Sequence, residues 1–309
     1  MPAFKVIVNP VAGKGAGLRQ TERIRASLKA NGLEFDLVHT QAPLHAIELA
    51  CEASLAGHEV VVAVGGDGTS NEVINGLMQA REKGGNAALG VIGVGTGSDF
   101  AYAAHIPAGI EAACHCLAQG YRRWIDIGHV VGGDWPAGRY FGNGVGIGFD
   151  VIATDQVRKI KRLTGTPAFL LAALKTLVLY FNAPLITVQA DGQTLTEHWL
   201  MISMMNGRRF GGGFYVAPEA RMDDGLFDVT LARQSTRLTA LRLMGMYMQG
   251  TQHTHPTVRG IRARQIAIHA DGGLMSHADG EIFLRDGRHL ELEVHPRQLQ
   301  VICQPEGVP

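Results

Sequence analysis

This chain of 309 residues predicts an α/β domain built on a parallel sheet, followed by an all-β domain, an antiparallel β-sandwich. Three observations carry that reading. The first 125 residues alternate short apolar runs with helix-periodic segments, the pattern of right-handed βαβ units. Three of those runs end in glycine-rich turns, at Asn9–Gly17, Gly65–Thr69 and Gly93–Asp99. Beyond Trp124–Asp126 short β-type runs dominate, and Asp-Gly pairs beginning at Asp191, Asp224, Asp271, Asp279 and Asp286 punctuate them as hairpin turns would. The expected domains are 1–125 and 126–299, with the tail, about 300–309, packing back on the first.

Taken in order, Phe4–Val8 reads as a strand, followed by the Asn9–Gly17 turn and a helix through about Ala30 that Gly32 stops. Glu34–His39 is a second strand, and Leu44–Ala56 a helix ended by Gly57. Val60–Val64 is an unbroken apolar run of the kind a buried parallel strand needs. It breaks at Gly65-Gly66-Asp67-Gly68-Thr69 and resumes as a helix, Ser70–Met78, in which Val73, Ile74 and Leu77 keep helical spacing. Thr69 or Ser70 is the expected cap. Ala88–Gly93 is a further strand and Ile110–Gln119 a further helix. The second half offers strands at Ile125–Val131, Arg139–Phe149, Leu185–Ala190, His198–Asn206, Leu226–Ala232, Gln265–Ala270, Leu290–His295 and Gln298–Ile302. Helices are expected at Pro167–Tyr180 and Leu238–Met248. Within Phe141–Phe149 glycine alternates with larger residues, so one face of that strand is bare backbone against which another element or a ligand can lie.

Composition narrows the class. Hydrophobic residues make up 46% and charged residues 18%, enough apolar material for packed cores. Lys plus Arg equals Asp plus Glu at 28 each, so no global field points to nucleic acid. The four cysteines lack zinc or redox spacing and read as buried, reduced thiols, which fits a cytoplasm. The N-terminus enters a strand directly, without the apolar stretch of a signal peptide. Ala168–Phe181 is interrupted by Lys175 and is too short to span a bilayer. No transmembrane segment is therefore expected. The basic cluster Arg158-Lys159-Ile160-Lys161-Arg162 just before that helix suits either peripheral contact with anionic lipid at the inner face of a membrane or a solvated helix face. A homodimer stays open.

Strand, glycine turn, helix over Glu59–Gly76 aims backbone N–H groups and a positive dipole end at an anion. Asp67 adds a carboxylate suited to Mg²⁺; the alternative is a tight βα turn with a surface acid. In a parallel sheet all three glycine turns fall at the carboxyl edge, where ligands of open α/β sheets bind. A Walker A loop is excluded because Gly15 follows Lys14, and the second strand ends in His39-Thr40 instead of the acid a dinucleotide fold uses.

Asn9-Pro10 with Gly13-Lys14, Gly65–Thr69, Gly95–Ala101, Phe141–Asp150, Asp224-Gly225-Leu226 and Asp279-Gly280-Glu281 occur together and in this order. In these blocks the chain resembles the diacylglycerol kinase catalytic family, lipid kinases that also include sphingosine and ceramide kinases. Ser98 departs from the asparagine usual there. The resemblance implies an ATP- and Mg²⁺-dependent lipid kinase that phosphorylates a hydroxyl of diacylglycerol or a related lipid. Asn9, Pro10, Gly13, Lys14, Thr40, Gly65, Gly66, Asp67, Gly68, Thr69, Ser70, Asn71, Gly95 and Thr96 would line the ATP site, with Asp67 placing Mg²⁺. The base would be Asp279 or Glu281, which as residues two apart in an extended segment point the same way. Asp224 and the carbonyls of Arg221 and Leu226 would hold a structural Mg²⁺, or form a plain turn. Two alternatives remain open at this point: a soluble-acceptor kinase of the NAD kinase type, and a nucleotide-binding regulator without transfer activity.

Overall fold

The computed structural model describes residues 2–95, 98–160, 163, 166–179 and 181–305, with the backbone alone at 158 and 179. Contacts divide the chain into two units, one running to Ile127 and resuming at Arg297, the other Gly128–Pro296.

The first unit contains β1 (Phe4–Val8), α1 (Ala12–Arg19), α2 (Thr21–Ala30), β2 (Phe35–His39), α3 (His45–Leu55), β3 (Val60–Gly65), α4 (Asp67–Glu82), β4 (Ala88–Gly93), α5 (Asp99–Ala103) and α6 (Ile110–Gln119). Its strands are parallel in the order β2-β1-β3-β4, and the chain's last strand adds Val301 beside Leu89. All six residues of β3 are buried, as a central parallel strand covered on both faces requires. The chain turns to opposite sides of β1 to make β2 and β3, so the turns after β1 and β3 flank the point where strand order reverses. Register matters here. Val8 pairs with His39 and Val64, and Gly65 with Gly93. Thr40, Asn9, Gly65 and Gly93 therefore stand at one level on the carboxyl edge.

Two local expectations are corrected. The fourth helix begins at Asp67, not Ser70, and its N-cap is Gly66, which is extended and offers no side chain. Thr69 and Ser70 thus lie inside the helix, where their side chains are buried. The first helix is also two: Gly13, Lys14 and Gly15 are left-handed, kinking α1 before α2 begins.

The second unit takes over within β5 (Arg122–Gly132) and continues through β6 (Trp135–Phe141), β7 (Gly144–Gly148), α7 (Phe149–Arg158), α8 (Thr166–Leu179), β8 (Leu185–Ala190), β9 (Gln193–Met205), β10 (Phe227–Arg233), α9 (Arg237–Gln249), β11 (Val258–Ala263), β12 (Gln265–Ala278) and β13 (Glu281–Ile302). Its pairings are antiparallel. The long strands β9 and β12 are bridged twice, by β7 near Met201–Met205 and by β8 near Gln193–His198. Phe141, Phe227, Phe283 and Trp199 are among the largest side chains in this core.

Here the structure differs from the expectation at several points. The predicted strand Arg139–Phe149 is two, β6 and β7, interrupted at Gly142-Asn143, and it runs into α7, which the β-type reading of Phe149 concealed. The bare face of β7 receives side chains: a β-carbon at Gly146 would lie 2.0 Å from an Asp150 carboxylate oxygen and 2.8 Å from His277 Nε2. Asp191-Gly192 and Asp279-Gly280 form the β8–β9 and β12–β13 hairpins, with the positive φ of both central residues that a type I′ turn demands. Asp271 and Asp286 form no turn; they lie inside β12 and β13, where the register shifts. The two predicted C-terminal strands are one, the 22-residue β13. None of the four cysteines, all buried, forms a disulfide, and burial pushes Cys116 up to about 11, Cys303 adding to the rise.

Candidate functional site

At the carboxyl edge of the first unit, the turn after β1 is bound to the start of α4. Asn9 N–H donates to the Val64 carbonyl at 3.0 Å, and Asn9 Nδ2 to Thr69 Oγ1 at 3.0 Å. Asn9 Oδ1 accepts Val11 N–H at 3.1 Å, folding its own loop. Gly13 brings that loop against the strand after next: a β-carbon there would lie 2.3 Å from the Val94 carbonyl oxygen. Lys14 follows in a left-handed conformation, which costs a non-glycine residue on the order of 1–2 kcal/mol. Asp67 is the first residue of α4 and half-buried; its Oδ1 accepts Phe100 N–H at 3.1 Å, joining this turn to α5.

Of the predicted nucleotide residues, Asn9, Pro10, Gly13, Lys14, Thr40, Gly65, Gly66, Asp67, Gly68 and Gly95 gather at that edge. Ser70 and Asn71 are turned inward, 3% and 1% exposed, and Asn71 Oδ1 accepts from Asn75 Nδ2 at 3.2 Å. Thr96 lies outside the described residues, as do Lys161, Arg162 and the side chain of Arg158.

In the second unit Asp279 and Glu281 have different surroundings. Asp279 is 8% exposed. Its Oδ2 accepts Gly142 N–H, and its Oδ1 accepts Asn143 N–H and Gly144 N–H, each at 2.9 Å. The carboxylate satisfies the backbone of the β6–β7 interruption. Glu281, two residues on, is 40% exposed, and its Oε2 meets Arg139 Nη2 at 3.0 Å.

A separate apolar cavity of about 60 Å³ opens in this unit, walled by Phe149, Phe169, Phe214, Leu243, Met244 and Tyr247 among others. Asp150 also lines it. Its Oδ2 has no hydrogen bond, His277 Nε2 lying 3.5 Å away, and the Tyr247 hydroxyl is likewise unbonded. Burial, with Asp150 second, drives the Tyr247 hydroxyl well above its ordinary range.

The turn expected to hold a structural metal runs through residues 221–226. Asp224 Oδ1 accepts Leu226 N–H at 3.1 Å, Oδ2 faces the Arg262 guanidinium at 3.9 Å, and Arg221 pairs with Asp223 at 3.3 Å. Burial pushes Asp228 up, Arg262 opposing and Asp224 adding. Among the described residues no cluster of three acidic, His or Cys side chains is set to hold a metal.

An α/β unit with loops converging at a strand-order reversal is followed by an antiparallel β unit. Residues 3–130 match the diacylglycerol kinase catalytic domain, and residues 143–303 the YegS C-terminal NAD kinase beta sandwich-like domain. The chain belongs to the diacylglycerol kinase catalytic family, and it is a kinase with an alcohol group as acceptor. It is 26% identical over 296 residues to a diacylglycerol kinase of Staphylococcus saprophyticus, covering 93% of this chain and 94% of that one. To a diacylglycerol kinase of Staphylococcus aureus it is 28% identical, covering 93% and 91%. A Bacillus anthracis crystal structure titled as a diacylglycerol kinase superposes with a TM-score of 0.73 at 19% identity, covering 99% and 98% of the two chains. That likeness shows the shared fold.

Three residues of this neighbourhood carried no role in the sequence reading: Arg139, Asp150 and Tyr247. Asp150 closes the quoted glycine-rich block, so its place beside that strand was the available signal. Nothing in the sequence linked Arg139 to a residue 142 positions later.

Proposed function

We propose that this chain transfers the γ-phosphoryl group of ATP to a hydroxyl of diacylglycerol or a closely related lipid, with Mg²⁺ as the companion ion. The apolar cavity carries the choice of acceptor. A dinucleotide acceptor needs polar walls for its phosphates and riboses, whereas this cavity is lined almost wholly by aromatic and aliphatic side chains. Its one polar point, Asp150 with Tyr247, suits an amphiphile with a single polar end. The sandwich-like domain by itself is shared in form with NAD kinases, so the lining, not the fold, supports the lipid reading.

The carboxyl-edge loops and the α4 N-terminus would hold the triphosphate, with Asp67 toward Mg²⁺. When bound, that ion neutralises phosphate charge; the chain's own part is positioning and electrostatic stabilisation. Glu281 is the better base, because both oxygens of Asp279 are committed to backbone N–H groups. Labelled ATP offered with mixed vesicles containing diacylglycerol, and separately with NAD, tests the reading. Label is expected in the lipid phase alone. Label in NAD, or in neither, would overturn it.

Access to such a lipid calls for contact with a bilayer surface. No helix among the described residues is long and apolar enough to cross one. Helices α8 and α9 pack on each other and line the cavity with their inner faces, yet expose Leu171, Leu174 and Val178 on one and Leu238, Leu241 and Met248 on the other. Neither helix contains an acid, while Lys175, Arg237 and Arg242 supply positive charge. Replacing both Leu238 and Leu241 with Asp should reduce co-sedimentation with anionic vesicles by about tenfold or more. Unchanged sedimentation would rule out this face.

A further inference from the structure

The Arg139 side chain is 8% exposed in β6, a place where a cation is costly unless neutralised. Its environment holds it from two sides. The guanidinium carbon lies 4.7 Å from the centroid of the Trp135 ring, and Trp135 stacks on Phe283 with centroids 4.2 Å apart and planes 9° from parallel. Phe283 is 1% exposed, two residues beyond Glu281 on β13. The same stack therefore anchors the arginine and the strand that carries the glutamate. The asymmetry of the pair is informative. A buried cation reaches a 40% exposed acid, so the arginine is immobile and the acid takes its orientation from it. Oε2 is the oxygen held; Oε1 has no hydrogen-bond partner among the described residues.

We propose that Arg139 is a positioning residue of the transfer reaction, fixing the Glu281 carboxylate by Oε2 so that Oε1 receives the proton of the acceptor hydroxyl. This rests on the function proposed above. In the step, the acceptor oxygen forms a bond to the γ-phosphorus and the bond from that phosphorus to the β–γ bridging oxygen breaks. Its electron pair leaves with ADP, and the hydroxyl proton moves to Oε1.

The test measures kcat, and KM for ATP and for diacylglycerol in vesicles, for Arg139→Met and Arg139→Lys, in the wild-type and Glu281→Gln backgrounds, alongside thermal unfolding. Arg139→Met is expected to lower kcat about 10- to 100-fold with both KM values within twofold, since misplacing a base by an ångström costs rate more than binding. Lysine, or millimolar guanidinium added to the methionine variant, should restore part of the rate. In the Glu281→Gln background the same substitution should cost nothing further, because a residue acting through another has no effect once that other is gone. An equal loss in both backgrounds, or a rise in KM at unchanged kcat, would overturn the proposal. If the Arg139 variants do not fold, Trp135→Leu, which keeps the arginine but removes its stacking surface, must show the same split in kcat; full activity there also overturns it. A wild-type chain without lipid phosphorylation, or a fully active Glu281→Gln, would instead count against the function on which this rests.

Discussion

Asp67→Asn is expected to lower the transfer rate by about 10³-fold while moving the thermal unfolding midpoint little. The substitution separates two roles. Asn keeps an oxygen to accept Phe100 N–H, the 3.1 Å bond that joins the start of α4 to α5, so the local fold survives. What disappears is the negative charge. If Asp67 were simply an acid in the first turn of a helix, its charge would be worth about 0.3–1 kcal/mol of stability through the dipole and nothing in rate. If it holds the companion ion of the triphosphate, the rate collapses and raising the Mg²⁺ concentration recovers part of it. Steady-state rates across a Mg²⁺ series, with an unfolding curve for each variant, distinguish these. Full activity in Asp67→Asn would remove the metal role from this residue and leave it a helix-terminal acid.

The two units were legible to different degrees, for physical reasons. Parallel strands buried on both faces read as unbroken apolar runs, so β1, β3 and β4 stand out, and their register follows from those runs. The start of α4 did not, because Gly66 caps by backbone conformation alone and leaves no Ser, Thr or Asp signature at the cap position. In the second unit the Asp-Gly rule worked where both residues have positive φ, at Asp191 and Asp279. It failed at Asp271 and Asp286, where an irregular ladder accommodates the pair without turning the chain. The roles of Asp279 and Arg139 could not be read at all. Each depends on partners more than 130 positions away that only the folded sheet brings together.

Asp279→Ala is expected to be the most destabilising single change considered, on the order of 3–5 kcal/mol, against a typical total of about 5–15. Three buried N–H groups lose their acceptor together, and water has little access to replace it. A left-handed backbone, φ 48° at this position, adds a penalty on the order of 1 kcal/mol for alanine. The chain contains its own control. Asp191 opens the other Asp-Gly hairpin, has φ 42°, and its carboxylate accepts two N–H groups, from Arg264 at 2.8 Å and Gln265 at 2.9 Å, but it is solvent-exposed. Asp191→Ala pays the same backbone penalty and loses similar bonds, yet water can satisfy the released donors, so its loss should stay near 1–2 kcal/mol. Asp279→Asn should fall between, because its amide oxygen can still serve Asn143 and Gly144 while its NH₂ opposes the Gly142 donor. Urea unfolding of the three variants measures the order. Activity should follow stability for Asp279 alone, since Glu281 begins the strand that this hairpin launches, and equal losses at Asp191 and Asp279 would mean that burial of the carboxylate is not what matters.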